Sequence, residues 1–424
     1  MRGGRVIDPS QELNELADVL LIDGRVAEVG RVTKPADEIS EVIDARGLIV
    51  APGFIDLHVH LREPGQWQKE TIASGTQAAA AGGFTCVCAM PNTSPINDLP
   101  AITRWMQEPE RGAVVQVLPV AAATVASQGE RLTDYFALAE AGAVAVTDDG
   151  KPLLEDRIMR EALRAAMAVG LPLMQHAEDT RLTESGTMNQ GPTAFRLGLH
   201  GMPGRAESDM VERDLELARE IGAQYHVAHL STAAALDVVR RGKQAGLRVT
   251  CEVTPHHFTL CDEDIVPYDT HFKMNPPLRS REDRAALLQG LADGTVDAIA
   301  TDHAPHAPHE KAVEFDRAPF GIIGLETALA LAITQLHIGK RVSLDRIVEL
   351  LATNPARIIG QDKAGRGTLK RESIADVTLF DPAASWRYSA RDGRSRAHNT
   401  PFDGWELTGK VVATIVRGKI VYRA

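Results

Sequence analysis

The chain has 424 residues, with 57 acidic against 46 basic side chains and a formal net charge of -11. That length can bury a large core and is long for one simple domain, while the negative balance argues against a surface that holds phosphate backbones, so nucleic acid is not an expected partner. The first residues, MRGGRVIDPSQELN, lack an apolar stretch before a small-residue cleavage site, and no later run approaches the roughly 18 uninterrupted apolar residues of a membrane span; a cytoplasmic protein without a membrane partner is the expectation.

Residues 1 to 48 read as short strand-like pieces separated by Gly and Asp turns, LIDGRVAEVG among them, too short to bury a sheet alone. From position 49 onward, eight short apolar runs alternate with helical patterns: 49 to 60, 84 to 90, 113 to 122, 143 to 147, 171 to 175, 223 to 229, 247 to 253 and 296 to 301. Such alternation marks βαβ units and a parallel sheet, and eight strands suggest a closed α/β barrel of the (β/α)8 kind. The segment 155 to 170, EDRIMREALRAAMAVG, carries acid at its start and Gly170 past its end, in the order that caps and the helix dipole favour. Two further helices, 324 to 337 and 343 to 360, should pack outside the barrel. Residues 365 to 424 again read as strands, so both tails are expected to pair as one discontinuous β domain, leaving 49 to 364 for the barrel. Of the four cysteines, Cys86 and Cys88 alternate within the strand-like FTCVCAM and need no metal to explain them.

The chemistry concentrates where these strands end. In Asp56-Leu57-His58-Val59-His60 the two-residue period of a strand points both imidazoles to one face, whereas a helix would splay them. Two imidazoles at a barrel strand's C-terminal end make half of a zinc site. Asp148-Asp149-Gly150, His176, His229 and Asp302-His303 recur at the ends of the fourth, fifth, sixth and eighth runs. Scattered structural histidines have no reason to favour one end of five strands. His226, three residues before His229, is expected on the opposite face with a structural role. His256 and His257 lie in a loop past the seventh run and stay outside the metal shell, and His303, His306 and His309 sit in a proline-rich tract where most need ligate nothing. The stretch from His306 to Gly321, HAPHEKAVEFDRAPFG, is long for a connection in a compact domain and reads as a mobile lid, with Pro319, Phe320 and Gly321 at its end as substrate-binding residues.

Taken in order, HVHLREPG, MPNTSP, TDDGKP, HAED, HVAHLST, MNPPLR and TDHAPH resemble the motif set of bacterial dihydroorotases in the amidohydrolase superfamily, and the tails resemble that superfamily's companion β domain. The resemblance implies reversible hydrolysis of dihydroorotate to carbamoyl aspartate with one or two Zn2+ per subunit. His58, His60 and Asp302 would hold one zinc, His176 and His229 a second, and Asp149 would bridge them where many relatives use a carboxylated lysine; Asp148 and a modified Lys151 remain alternatives. It also implies that Asp302 moves protons, that Arg62, Asn92, Asn275 and His306 contact substrate, and that the chain forms a homo-oligomer or joins aspartate transcarbamoylase. A hydantoinase, dihydropyrimidinase or allantoinase is the nearest rival. A non-catalytic scaffold is a second, although every metal-ligand position of the motif set is filled.

Overall fold

The computed structural model describes residues 1–34 and 39–424. In chain order the strands are β1 (Gly4–Asp8), β2 (Leu13–Ile22), β3 (Arg25–Gly30), β4 (Ile49–Pro52), β5 (Phe54–Val59), β6 (Phe84–Ala89), β7 (Gln116–Ala122), β8 (Ala145–Thr147), β9 (Leu173–Gln175), β10 (Met188–Asn189), β11 (Gly201–Met202), β12 (Tyr225–Val227), β13 (Val249–Val253), β14 (Ala298–Ile299), β15 (Val377–Arg387), β16 (Glu406–Val416) and β17 (Lys419–Arg423). Eight of them form one parallel sheet in the order β5-β6-β7-β8-β9-β12-β13-β14, and each of the eight apolar runs supplies one. The two edges meet: Val59 bridges His303 in parallel, the His60 amide donates to His303 O at 2.9 Å, and the Thr301 amide donates to Asp56 Oδ1 at 3.0 Å. The barrel is therefore closed by the same residues that carry the chemistry.

Helices between the strands start and stop where local chemistry satisfies their unpaired ends. Asp156–Val169 ends on Gly170 at φ 73°, a left-handed cap that glycine adopts without strain. Ile72–Ala81 and Arg281–Asp293 begin with reciprocal capping boxes on Thr71 and Ser280. After β14, the helix Ala328–Ala332 passes into a π-helical turn, Ile333–His337, and Leu344–Ile358 is likewise interrupted at Glu349–Thr353. The first of these starts four residues later than the sequence suggests, because Ile322 pairs with His303 and residues 325 to 327 form a turn.

Both tails build a second, seven-stranded sheet in the order β17-β16-β15-β4-β1-β2-β3, antiparallel except where β1 runs parallel to β4. The apolar run 49 to 60 thus serves two sheets and divides at Gly53. A side chain there would meet Thr85, its Cβ 2.2 Å from Oγ1, so only glycine lets the chain pass between layers. Phe54, fully buried, stands at the seam with its ring 6.0 Å from Phe84 and 6.1 Å from Phe380, joining barrel to terminal sheet. Among the described residues, no helix is long and apolar enough to cross a membrane.

Removing this seam should be costly. Phe54→Ala is expected to lower unfolding free energy by about 3–5 kcal/mol in chemical denaturation, the range for a fully buried aromatic; a loss under about 1 kcal/mol would mean the two sheets do not depend on each other through it.

Candidate active site

The strand ends deliver four imidazoles and two carboxylates to one buried place. Two groups of potential metal ligands occur among the described residues: His58, His60 and Asp302, and His58, Asp149 and His229. His60 Nε2 lies 3.0 Å and His58 Nε2 3.6 Å from Asp302 Oδ1, while Asp149 Oδ1 is 3.4 Å from His58 Nε2, 3.8 Å from His229 Nε2 and 4.0 Å from His176 Nδ1. All six residues are buried. Asp149, not its neighbour, enters the cluster: Asp148 turns away to accept from the Thr124 amide and hydroxyl, and Lys151 is exposed.

The outer partners of the imidazoles decide which nitrogens face inward. A carboxylate only accepts, so His58 carries its proton on Nδ1, donating to Glu252 Oε1 at 3.3 Å, which leaves Nε2 to the cluster. Asn92 donates its amide to Asp149 Oδ2 at 3.0 Å, which turns its carbonyl to His60 Nδ1 at 2.8 Å and frees His60 Nε2. Glu178 Oε2, 2.7 Å from His176 Nε2, leaves His176 Nδ1 inward, 3.0 Å from His229 Nε2. His58 Nε2 is buried without a hydrogen-bond partner. Inward lone pairs this close repel unless a cation or proton lies among them, and two aspartates add negative charge; the donor set fits a metal ion with nitrogen and oxygen ligands.

The electrostatics agree. Burial works against charge on His58, yet Asp149, Glu252 and Asp302 carry its pKa well above the ordinary value. Burial likewise opposes ionisation of Asp149 and Asp302, but the surrounding histidines hold both below the usual carboxylate range. Glu252, desolvated yet hydrogen-bonded by His226 and His58, is held down to about 2.

At the mouth, Arg62 is buried, its Nε donating to Pro305 O at 3.1 Å and one terminal nitrogen 3.4 Å from His306 Nε2. Burial lowers its pKa to about 10, which leaves it charged at neutral pH. His306 Nε2 in turn lies 2.8 Å from Phe320 O. Gly321 sits at φ 149°, where a Cβ would come within 2.9 Å of His306 Nε2 and 2.6 Å of Ala304 O, so Pro319-Phe320-Gly321 presses its backbone against His306. Asn275 donates to Glu178 Oε2 at 2.7 Å, beside His176. The loop expected as a lid is seated: the Lys311 ammonium donates to the carbonyls of Thr270, Lys273 and Pro319 at 2.8–3.1 Å.

One expectation needs correction. His226 does not face away from His229; its Nε2 lies 3.1 Å from Glu252 Oε2, the carboxylate that also accepts from the His229 amide at 3.3 Å. β12 ends at Val227, and His229 adopts φ 30°, so the two-residue alternation stops before it reaches the site. His226 still stays outside the ligand cluster, as do His256 and His257, the latter held by Thr254 and Pro276 O. Asp56, Glu178 and Glu252 had no role assigned from the sequence, although Asp56 and Glu178 stand within its motifs. An acidic residue inside an apolar strand, as in LRVTCEV, was the available signal for Glu252.

A family model described as Dihydro-orotase-like matches residues 47–235. The chain is 50% identical to a Dihydroorotase from Solibacter usitatus over 99% of this chain and 96% of that protein, and 49% identical to one from Geobacter sp. over 100% and 99%. Its fold is similar to that of an L-hydantoinase (dihydropyrimidinase) from Arthrobacter aurescens, with a TM-score of 0.86 at 25% identity over 100% of this chain and 95% of that one, and to a dihydropyrimidinase from Brevibacillus agri, with 0.84 at 24% over 100% and 94%. Near-complete coverage at half identity, on a barrel whose strand ends gather this ligand set, leaves one conclusion: the chain belongs to the dihydroorotase-like family of cyclic amidohydrolases.

Proposed function

We propose that the chain is a zinc-dependent dihydroorotase that interconverts dihydroorotate and N-carbamoyl-L-aspartate in the cytoplasm. The observation that carries this reading is the full-length match to proteins named dihydroorotase, together with a charged, buried Arg62 beside His306 at the mouth of the cluster. Dihydroorotate bears a carboxylate outside its ring, and a guanidinium is the group suited to it. A ring without that carboxylate, as in the hydantoinase branch, would leave a buried cation unmatched.

In this reading His58, His60 and Asp302 would hold one zinc, His176 and His229 would hold a second, and Asp149 would be a ligand shared by both. Held by these residues, zinc would supply Lewis acidity for a carbonyl and a water acidic enough to react near neutral pH. Asp302, ionised because the histidines keep its pKa low, takes the proton of the attacking water and returns it to the departing ring nitrogen, with the roles reversed for cyclisation. Arg62 and His306 hold the exocyclic carboxylate, Asn275 meets the ring amide, and the seated loop 306–321 keeps water from the reacting atoms. Asn92, with both ends of its amide engaged by His60 and Asp149, orients ligands as well as facing substrate. Of the expected 49–364, the residues from Gly53 onward are the catalytic domain, and the two tails together with Ile49–Pro52 are its support. The resemblance also favours a homo-oligomer and association with aspartate transcarbamoylase.

The deciding assay offers dihydroorotate, hydantoin and dihydrouracil in parallel to the zinc-supplemented protein. Turnover of dihydroorotate alone is the expected result, and preference for either other ring overturns the reading. Arg62→Ala should raise KM for dihydroorotate roughly 10- to 150-fold, the 1.5–3 kcal/mol of a charge-assisted hydrogen bond, and leave any residual hydantoin activity unmoved. Asp302→Ala should cut kcat by roughly 10²- to 10⁴-fold, the usual worth of a general acid-base, with the melting temperature retained. For the ligand assignment, Asp149→Asn should lose bound zinc by elemental analysis, whereas Asp148→Asn should keep it; the reverse pattern would move the bridge to Asp148.

A further inference from the structure

Glu178 lies two residues past His176, with a side chain that is 12% exposed. Its Oε2 collects two partners at once, His176 Nε2 at 2.7 Å and Asn275 Nδ2 at 2.7 Å, and its Oε1 accepts from the Thr183 hydroxyl. His176 Nε2 and Asn275 Nδ2 are themselves 3.4 Å apart, so the carboxylate closes a three-membered cluster. None of the motif readings gave it a role.

Each contact removes an ambiguity that the partner could not resolve alone. An ionised carboxylate has no proton to give, so His176 must present N–H at Nε2 and its lone pair at Nδ1, the nitrogen that faces Asp149 and His229. By the same rule the Asn275 amide must turn its NH2 to Glu178, which aims its carbonyl Oδ1 away from the carboxylate, available to a donor such as a ring N–H. A rotated Asn275 would present a donor instead and select for a different ring edge.

We propose that Glu178 is a positioning residue that couples the two halves of the site, fixing the metal-binding tautomer of His176 and the substrate-facing orientation of Asn275 through one oxygen. This rests on the zinc dihydroorotase reading, for His176 as a ligand in the metal half and for the ring in the substrate half. The coupling makes a simple structural demand. Glutamine can put its carbonyl where Oε2 is, accept from both donors, and turn its NH2 to the Thr183 hydroxyl, so Glu178→Gln keeps the geometry while Glu178→Ala abolishes it.

The test is a titration of metal-free protein with Zn2+ against a chromogenic chelator, followed by steady-state kinetics. Glu178→Ala should bind zinc roughly 10- to 100-fold more weakly, as loss of a ligand's outer partner does elsewhere, and Glu178→Gln should stay close to the wild-type value. With dihydroorotate, the KM increases of Glu178→Ala and Asn275→Ala should not add in the double variant, because the first acts through the second. Wild-type zinc affinity in Glu178→Ala, equal impairment in the Gln and Ala variants, or additive KM effects would overturn the proposal. If the alanine variant does not fold, the 15N spectrum of zinc-loaded wild-type protein decides: His176 protonated at Nε2 supports the assignment, and any other state refutes it. Absence of dihydroorotate turnover in wild type would count against the function alone, since the titration and spectrum need no substrate.

Discussion

Four imidazoles and two aspartates are held out of water at one end of the barrel, and that concentration of lone pairs and negative charge is the constraint on which the rest depends. Uncompensated, it would be expensive, because buried polar groups cost several kcal/mol each when unmatched. The protein reduces the cost by giving His58, His60 and His176 outer acceptors in Glu252, Asn92 and Glu178, so that each ring has one satisfied nitrogen and one reserved for the centre. What remains is a space suited to a cation.

Closure of the barrel and assembly of this centre are one event. His60 and His303 pair across the last gap between sheet edges, and Asp56, two residues before His58, accepts from the Thr301 amide next to Asp302. Burial raises the Asp56 pKa to about 7, outweighing the hydrogen bonds from Thr301 and the His58 amide that lower it. Three residues of the site, Arg62, His229 and Asp302, have φ between 30° and 63°, a left-handed region that side chains other than glycine occupy at a cost. Strain of this kind persists only when surroundings over-determine it, and it collects where side chains must be aimed rather than packed.

Much of this was legible in order along the chain. Eight apolar runs became eight parallel strands because a strand buried on both sides must be apolar throughout, and that pattern survives without any knowledge of neighbours. The Asp-Leu-His-Val-His spacing was legible for a similar reason, since the two-residue period belongs to the strand itself. The orientation of His226 was not legible, because alternation holds only inside a strand, and β12 ends two residues before His229. Nor was the division of the run 49 to 60, because both strands it contains are apolar, and only the contact between Gly53 and Thr85 shows where one sheet hands over to the other.

The sequence by itself determined the barrel and the strand ends at which candidate ligands gather, because those depend on local period and residue type. Tertiary structure decided the choice of Asp149 over Asp148, the inward nitrogen of each ring, and the work of Glu178 and Glu252. Those depend on which side chains from distant strands meet: a carboxylate in LRVTCEV is merely an acidic residue until β13 lies beside β12 and across from His58. Hydrogen-bond direction is a property of pairs, and the pairs exist only once the barrel has closed.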